Sequence, residues 1–237
     1  MEVSILYEDK NLLAVNKPSG LVIHTDGRTK EDSLVDWIKK NYPKLEKVGE
    51  SLKISTGEDI ERWGIVHRID RDTSGVVLIA KNQETYNFLK KQFLDRDIEK
   101  AYHAIVYGDV RYDEGIINLG LGRHKSDFRK RASGKVVKGE EKEAITHYKT
   151  LARKSKISFV EANPRTGRTH QLRVHFADIG HSIIGDKLYG VAKKSPIEIK
   201  RLALHAYSIE FTLPEGKWLK VIAPYPPDFQ EAVDFFH

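Results

Sequence analysis

Residues 66–81 read Val-His-Arg-Ile-Asp-Arg-Asp-Thr-Ser-Gly-Val-Val-Leu-Ile-Ala-Lys, a charged segment followed by an apolar one. Five ionisable side chains fall within the six residues from His67 to Asp72, whereas Val76–Ala80 contains none. A short β-branched run after a glycine predicts a strand that is buried on both faces. A charge-dense turn beside such a strand is either a salt-bridged loop or part of a cleft that uses its charges for chemistry.

Hydrophobic patterns on both sides of this stretch predict an α+β fold. Alternation or short apolar runs predict strands at residues 5–7, 12–16, 101–108, 144–151, 157–162, 203–213 and 218–223. Helical spacing predicts helices at residues 33–42, 82–93, 169–180 and 229–236, with Asn82 and Thr169 as the N-caps of the second and third. Strands joined mostly by hairpins predict a mixed, largely antiparallel central sheet with the helices packed outside.

Composition limits the function classes. The chain has 237 residues, a net charge of +6 and no cysteine, so a disulfide framework and thiolate metal ligands are excluded. Its first residues do not form a signal peptide, and no apolar run approaches the roughly 20 residues of a membrane helix. We therefore expect a cytoplasmic protein without membrane contact, a monomer by default, and built as one large domain or two small ones.

The excess positive charge is concentrated in one segment. Arg123–Lys142, here called the basic arm, contains eight Lys or Arg residues against three acidic ones, a net charge of +5. Glycines at 134 and 139 are typical of an exposed hairpin or of a flexible arm. Such a local surplus is either a solvated basic loop or a contact with the phosphate backbone of a nucleic acid, and its concentration favours the contact.

Several segments resemble one enzyme family. His67–Gly75 is similar to the His-Arg-Leu-Asp-x-x-Thr-Ser-Gly signature of the RluA-type pseudouridine synthases, with Ile69 as the only departure. Lys100–Gly108 matches Lys-x-Tyr-x-Ala-x-Val-x-Gly, and Thr166–His175 matches Thr-Gly-Arg-Thr-His-Gln-Leu-Arg-Val-His. Asn16–Gly20 and Gly185–Gly190 also resemble family segments, the second of which we interpret as scaffold. The resemblance extends from about residue 5 to about residue 223.

The resemblance implies an RNA pseudouridine synthase that isomerises uridines in ribosomal or transfer RNA without a cofactor or metal. It assigns the catalytic carboxylate to Asp70, an active-site tyrosine to Tyr102 and the active-site arginine to Arg173. It also implies a single catalytic domain over residues 1–237 with a cleft across the sheet, here without the N-terminal RNA-binding module that many members carry. Contacts with the substrate are predicted for six residues: His67, Arg68, Arg168, Arg129, Lys130 and Arg131.

Other interpretations remain open from the residues alone. An RNA-binding or assembly protein without chemistry would use only the basic arm and would not need Asp70. A metal-dependent phosphoesterase would use His67, Asp70, Asp72 and either His170 or His175 as ligands. Lys17 is either a solvated turn lysine or a phosphate contact.

Overall fold

The computed structural model describes residues 2–25, 32–53, 59–190 and 194–237. The chain divides into two compact units, the first made of Met1–Glu99 and Ala206–Pro224, the second of Lys100–His205 and Tyr225–His237. Residues 44–61, which the sequence predicts to be a surface excursion, are described except for 54–58. The single catalytic domain over residues 1–237 stays a prediction.

The elements in chain order are these. The strands are β1 Ser4–Glu8, β2 Leu12–Lys17, β3 Ser51–Lys53, β4 Asp59–Glu61, β5 Ser74–Ala80, β6 Glu99–Tyr107, β7 Glu114–Asn118, β8 Leu121–His124, β9 Arg131–Ala132, β10 Val137–Lys142, β11 Ile145–Lys154, β12 Ile157–Pro164, β13 Leu204–Thr212 and β14 Trp218–Ile222. The α-helices are α1 Leu34–Asn41, α2 Gln83–Asp95, α3 Gln171–Asp178 and α4 Pro227–Asp234. Short 3-10 turns occur at Pro43–Leu45 and Gly134–Val136.

The first unit is built around β5. All seven residues of this strand are buried, which confirms the prediction from its apolar run. Its neighbours run in the order β1-β2-β5-β13, with β14 on β13, and the β1–β2, β2–β5 and β13–β14 pairs are antiparallel. After β5, the Asn82 side chain accepts the Thr85 backbone N–H and caps α2, as predicted.

The second unit contains an antiparallel run of strands in the order β6-β12-β11-β7. Its apolar core includes Val160 of β12, Phe176 of α3 and Phe229 of α4. A separate three-stranded sheet, in the order β10-β8-β9, contains most of the basic arm and confirms its hairpin character. The largely antiparallel α+β class is therefore confirmed, whereas the cleft across the sheet stays a prediction.

Candidate active site

Asp70 lies in the turn that leads into β5, in the first unit. The Thr73 backbone N–H donates to the Asp70 carbonyl oxygen at 3.2 Å, and the Asp70 residue is partly buried. Gly75 has φ +118°, and a Cβ there would lie 2.2 Å from the Ala206 carbonyl oxygen. Only glycine therefore permits this approach of the backbone at the start of the strand, which gives the glycine of the motif a structural reason.

Lys17 fixes the base of the same turn. Its side chain is completely buried, and its Nζ donates to the carbonyl oxygens of Pro18 at 2.8 Å, Leu21 at 2.8 Å and Arg71 at 3.0 Å. An ammonium group has three N–H donors, and three carbonyl oxygens surround this one. Both interpretations of Lys17, as a solvated lysine and as a phosphate contact, are therefore wrong, because the charge is directed into the protein.

Further hydrogen bonds hold the backbone that follows Asp70. The Gly20 N–H donates to the Arg71 carbonyl oxygen at 2.9 Å, and the Ser19 hydroxyl donates to the Asp72 carbonyl oxygen at 2.7 Å. The Arg71 Nε donates back to the Gly20 carbonyl oxygen at 3.3 Å. The Lys-Pro-Ser-Gly loop thus binds the two residues after Asp70, which restricts where the carboxylate can point.

His67 connects the turn to the elements around it. Its Nε2 accepts the Leu78 backbone N–H at 2.9 Å, and its ring stacks on Phe93 with centroids 4.9 Å apart. A ring nitrogen that accepts an N–H carries no proton, so this contact is made by the Nδ1–H tautomer. The observed contacts anchor the turn on β5 and α2, and the predicted contact of His67 with the substrate stays a prediction.

Arg68 is exposed and lies in an electropositive environment. Burial, followed by the positive charges of Arg68 and Arg62, lowers the pKa of His24 to about 4. The buried Nδ1 of His24 and Nε of Arg62 have no hydrogen-bond partner among the residues that the structure describes. The surroundings of Arg68 therefore favour an anion, in keeping with the substrate contact predicted for this residue.

Tyr102 and Arg173 belong to the second unit. Tyr102 lies on β6, opposite Ala162 of β12, and its partly buried ring packs against the apolar core of this unit. Arg173 is buried within α3 and forms a bidentate ion pair with Asp186. Its Nε lies 2.7 Å from Oδ2 and its Nη2 lies 2.8 Å from Oδ1, the geometry of a strong arginine–carboxylate pair.

Asp186 is held in its charged form by this arrangement. Burial opposes the charge and raises the pKa, but the Arg173 hydrogen bonds and charge, with the backbone N–H groups of Leu188 and Tyr189, outweigh it. The net effect keeps the pKa of Asp186 below its ordinary value. Asp186 thus supports the predicted active-site arginine, a role that the scaffold interpretation of Gly185–Gly190 did not specify.

The start of α3 differs from the prediction. Thr169 is not its N-cap, because the helix begins after His170, whose backbone is left-handed with φ 59°. No side-chain hydrogen bond caps α3, and the Gln171 Oε1 accepts the backbone N–H of Arg168, in the preceding loop, at 3.0 Å. The exposed Arg168 donates from Nε to the Glu143 carbonyl oxygen at 3.0 Å. The phosphate contact predicted for Arg168 stays a prediction.

Tyr189 connects the basic arm to this helix. Its hydroxyl accepts the Arg131 backbone N–H at 2.7 Å and is hydrogen-bonded to the His170 Nδ1 at 2.8 Å. The Arg173 guanidinium carbon lies 5.2 Å from the centre of the Tyr189 ring, a cation–π distance. One side chain therefore contacts the arm, the start of α3 and the predicted active-site arginine.

The three cations predicted in the basic arm are not equivalent. Arg129 forms a two-pronged pair with Asp127, at 3.0 Å for Nε–Oδ1 and 2.9 Å for Nη2–Oδ2, and these hydrogen bonds lower the pKa of Asp127 to about 2. Lys130 and Arg131 form no ion pair with any residue that the structure describes. Because Asp127 already compensates Arg129, we expect Lys130 and Arg131 to contribute more to phosphate binding.

Comparison with known proteins shows to which family this chain belongs. The profile described as RNA pseudouridylate synthase matches residues 11–178. The chain belongs to the RNA pseudouridylate synthase family. An uncharacterised RNA pseudouridine synthase of Synechocystis is 35% identical over 97% of this chain and 67% of that protein. The ribosomal large subunit pseudouridine synthase D of Borreliella burgdorferi is 38% identical over 96% of this chain and 66% of that protein.

A solved structure is also similar to this pseudouridine synthase. Human RNA pseudouridylate synthase domain containing 1 has a TM-score of 0.76 and 25% identity, covering 96% of this chain and 86% of that one. Together with the related sequences, this confirms the RluA-type resemblance, the fold and the isomerase class. The alternative of an RNA-binding protein without chemistry is thereby disfavoured.

The metal-dependent alternative finds no support in the synthase. His175 is completely buried, with its Nδ1 2.9 Å from the Thr146 hydroxyl and its Nε2 3.0 Å from the Leu119 carbonyl oxygen, so neither nitrogen faces a ligand site. Burial lowers the pKa of this ring. Across the described ranges, no three His, Asp or Glu side chains converge as a metal site would require.

One further property concerns membranes. The longest helix in the described part of the synthase is α2, with 13 residues, and none there combines the length and apolar character needed to cross a bilayer.

Proposed function

We propose that this synthase converts uridine to pseudouridine in ribosomal or transfer RNA and that Asp70 supplies the catalytic carboxylate. The observation that carries the proposal is the His67–Gly75 motif, whose aspartate lies on a turn fixed by Lys17 and Ser19. A carboxylate that acts on a sugar carbon must be held in place, because small displacements strongly reduce rate. The turn meets that requirement.

The reaction breaks the bond between C1′ and N1 of the uridine and forms one between C1′ and C5. Asp70 acts in one of two ways: it attacks C1′ as a nucleophile, or it removes the 2′ proton so that the base departs from a glycal-like sugar. Both routes require an ionised carboxylate. No electron is transferred and no group is donated, so the chemistry itself requires no cofactor.

Arg173 is proposed to keep Asp70 ionised and oriented. An arginine has five N–H donors, and the pair with Asp186 uses only its Nε and Nη2, so that pair is compatible with a further acceptor. Asp186 in turn fixes the guanidinium plane. A carboxylate beside a well-oriented arginine remains charged even when water is excluded.

Tyr102 and the cationic residues are proposed to handle the RNA. A uridine within a helix must leave the stack before an enzyme can act on it. The ring of Tyr102 is proposed to stack on the extruded uracil, with its hydroxyl serving proton transfer at C5. Arg68 occupies the vacated space or holds the neighbouring phosphate. Arg168 and the arm residues Arg129, Lys130 and Arg131 bind the RNA backbone, and His67 is a further contact with the substrate.

The decisive test replaces Asp70 with asparagine. Asp70→Asn keeps the size and removes the charge, so we expect pseudouridine formation to fall by more than about a hundredfold while RNA affinity is retained. The measurement is release of tritium from C5 of [5-³H]uridine-labelled ribosomal and transfer RNA, with binding followed by filter retention. Asp72→Asn, two residues away on the same turn, is the matched control and should stay within about threefold of wild type.

The target is sought by comparing cells with and without the gene. We expect pseudouridine to disappear at one or a few positions, in large-subunit ribosomal RNA first, because the Borreliella relative is named for that substrate. Loss of pseudouridine from transfer RNA alone would show that transfer RNA, and not ribosomal RNA, is the substrate. A cytoplasmic location and a monomer of 27.1 kDa are part of the proposal, and sedimentation of the purified protein checks the mass.

A further inference from the structure

Phe128, at the tip of the basic arm, is the most exposed of the large hydrophobic side chains in the described chain. Its relative exposure is 88%, ahead of Leu94 at 70% and Ile116 at 64%. It lies between Asp127 and Arg129 in the turn that joins β8 to β9. An aromatic ring left in water gains nothing for folding. A single exposed ring is common on protein surfaces, so its surroundings decide whether it serves an interaction.

The turn that carries the ring is tightly bonded. The Lys130 N–H donates to the Asp127 carbonyl oxygen at 3.0 Å, and the His124 N–H donates to the Lys130 carbonyl oxygen at 3.2 Å. The backbone N–H groups of Ser126 and Asp127 both donate to the His124 Nδ1 at 3.2 Å. The backbone that carries the ring is therefore held in one conformation, so a ligand that meets the ring orders little additional main chain.

The charge around the ring selects the ligand. Asp127, directly before the ring, is paired with Arg129 directly after it, so Lys130 and Lys125 supply the local positive charge, and the arm as a whole has a net charge of +5. Cations repel a basic protein surface and attract phosphates, while an aromatic face among them matches the flat face of a base. Unpaired RNA offers both features together, whereas a duplex presents phosphates but keeps its base faces stacked.

From these observations we propose that Phe128 stacks on an unpaired nucleobase of the RNA substrate, close to the phosphates that the arm binds. The inference rests on the proposed function only in taking RNA as the substrate. It adds a requirement for single-stranded character in the RNA bound by the arm. It also predicts that the ring contributes to affinity without contributing to the salt dependence, because the side chain has no charge.

The test compares two RNAs and four arm variants. The full chain is titrated with a labelled oligouridylate of about 12 nucleotides and with a blunt RNA duplex of the same length, by fluorescence anisotropy at several salt concentrations. The variants are Phe128→Ala, Phe128→Leu, Phe128→Trp and Lys130→Ala. Trp218→Ala removes an exposed aromatic ring from β14, outside the arm, and is the matched control. Thermal unfolding establishes that every variant is folded.

Phe128→Ala should weaken binding of the single strand by roughly 5- to 150-fold, the range for one base–aromatic stack, with the salt slope unchanged. Duplex affinity should change by less than about twofold, and Phe128→Trp should restore the single-strand affinity where Phe128→Leu does not. Lys130→Ala should instead lower the salt slope on both RNAs. Trp218→Ala should match wild type.

Equal loss on both RNAs, rescue by leucine as good as by tryptophan, or no loss at all would each overturn the stacking proposal. So would Phe128-dependent binding to vesicles of anionic phospholipid in the absence of any single-strand effect. The tritium-release assay separates this proposal from the catalytic one. If single-strand binding depends on Phe128 but no pseudouridine forms, only the proposed function is contradicted. If pseudouridine forms but Phe128→Ala binds the single strand as tightly as wild type, only this inference is contradicted.

Discussion

A lysine with no exposed surface has to satisfy its charge inside the protein. Lys17 does so with three backbone carbonyl oxygens, one of which belongs to Arg71, the residue after the proposed catalytic carboxylate. Removal of the ammonium would take one donor from each carbonyl oxygen, and only the Arg71 oxygen would keep another donor that is described above, the Gly20 N–H. Lys17 therefore acts on Asp70 through the backbone and is a positioning residue.

Lys17→Met retains most of the side-chain volume but removes the three N–H donors. We expect the free energy of unfolding in urea to fall by about 2–4 kcal/mol, because three carbonyl oxygens, one of them fully buried, each lose a donor while the cost of burying the charge is relieved. Lys10→Met, at an exposed position in the β1–β2 turn, is the control and should lie within about 0.5 kcal/mol of wild type. Equal stability of the two variants would contradict this role of Lys17.

Asp186→Asn tests the support of Arg173 through its pH dependence. The pKa of Asp186 is lower in the folded protein than in the unfolded chain, so the carboxylate stabilises the fold above pH ~4 and loses that effect as the pH falls through the folded value. We expect Asp186→Asn to be less stable by about 3 kcal/mol or more near neutral pH, since it leaves a buried arginine uncompensated.

The difference in the free energy of unfolding between wild type and Asp186→Asn should therefore become smaller below pH ~4. Urea unfolding of both proteins at a series of pH values from neutral to acidic measures it. A difference that stays constant throughout the acidic range would show that the Arg173–Asp186 ion pair does not carry the stabilisation. Asp109→Asn, an exposed carboxylate shortly after β6, gives the pH-matched control.

At the scale of elements, the basic arm is a small sheet that displays charge rather than a loose loop. Its β8 and β9 strands pair at Arg123 and Arg131, and the Ser133 hydroxyl donates to the Asp178 carboxylate at 2.6 Å, which ties it to α3. A fixed array of cations loses less entropy on binding than a flexible chain would. The arm is thus suited to hold a phosphate backbone in one position.

Neutralising Arg129, Lys130 and Arg131 together should weaken RNA binding and reduce the salt slope by about 2, at roughly 0.7 for each phosphate that the arm no longer neutralises. Among the single variants, Arg129→Ala should have the smallest effect, because Asp127 already compensates that guanidinium. The slope of log affinity against log salt concentration, measured with oligouridylate, gives the effect of the triple variant and of each single variant. The control neutralises three exposed lysines outside the arm, Lys40, Lys44 and Lys47; an equal slope for the two triple variants would contradict a specific role of the arm.

At the scale of the whole molecule, charge and proposed chemistry are distributed unevenly. Nearly all of the net charge of +6 comes from the arm, in the second unit. Asp70 lies in the first unit, and Tyr102 and Arg173 lie in the second, so neither unit by itself contains the three residues proposed to act on the uridine. The three motifs that carry the family resemblance are likewise divided between the units.

The sequence by itself determined the fold class, the buried β5 strand, the capped α2 helix and the family, because these depend on local hydrophobic period, capping chemistry and short motifs. The tertiary structure decided the rest. It showed that the buried Lys17 binds three backbone carbonyl oxygens, that Asp186 pairs with Arg173, that Tyr189 contacts the basic arm, and that α3 begins after His170. Lys17 and Arg71 are far apart in sequence, as are Tyr189 and Arg131, so no local pattern could reveal these pairs. A charged side chain beside a turn looks the same in the sequence whether it faces water or carbonyl oxygens, and only the surrounding chain decides which.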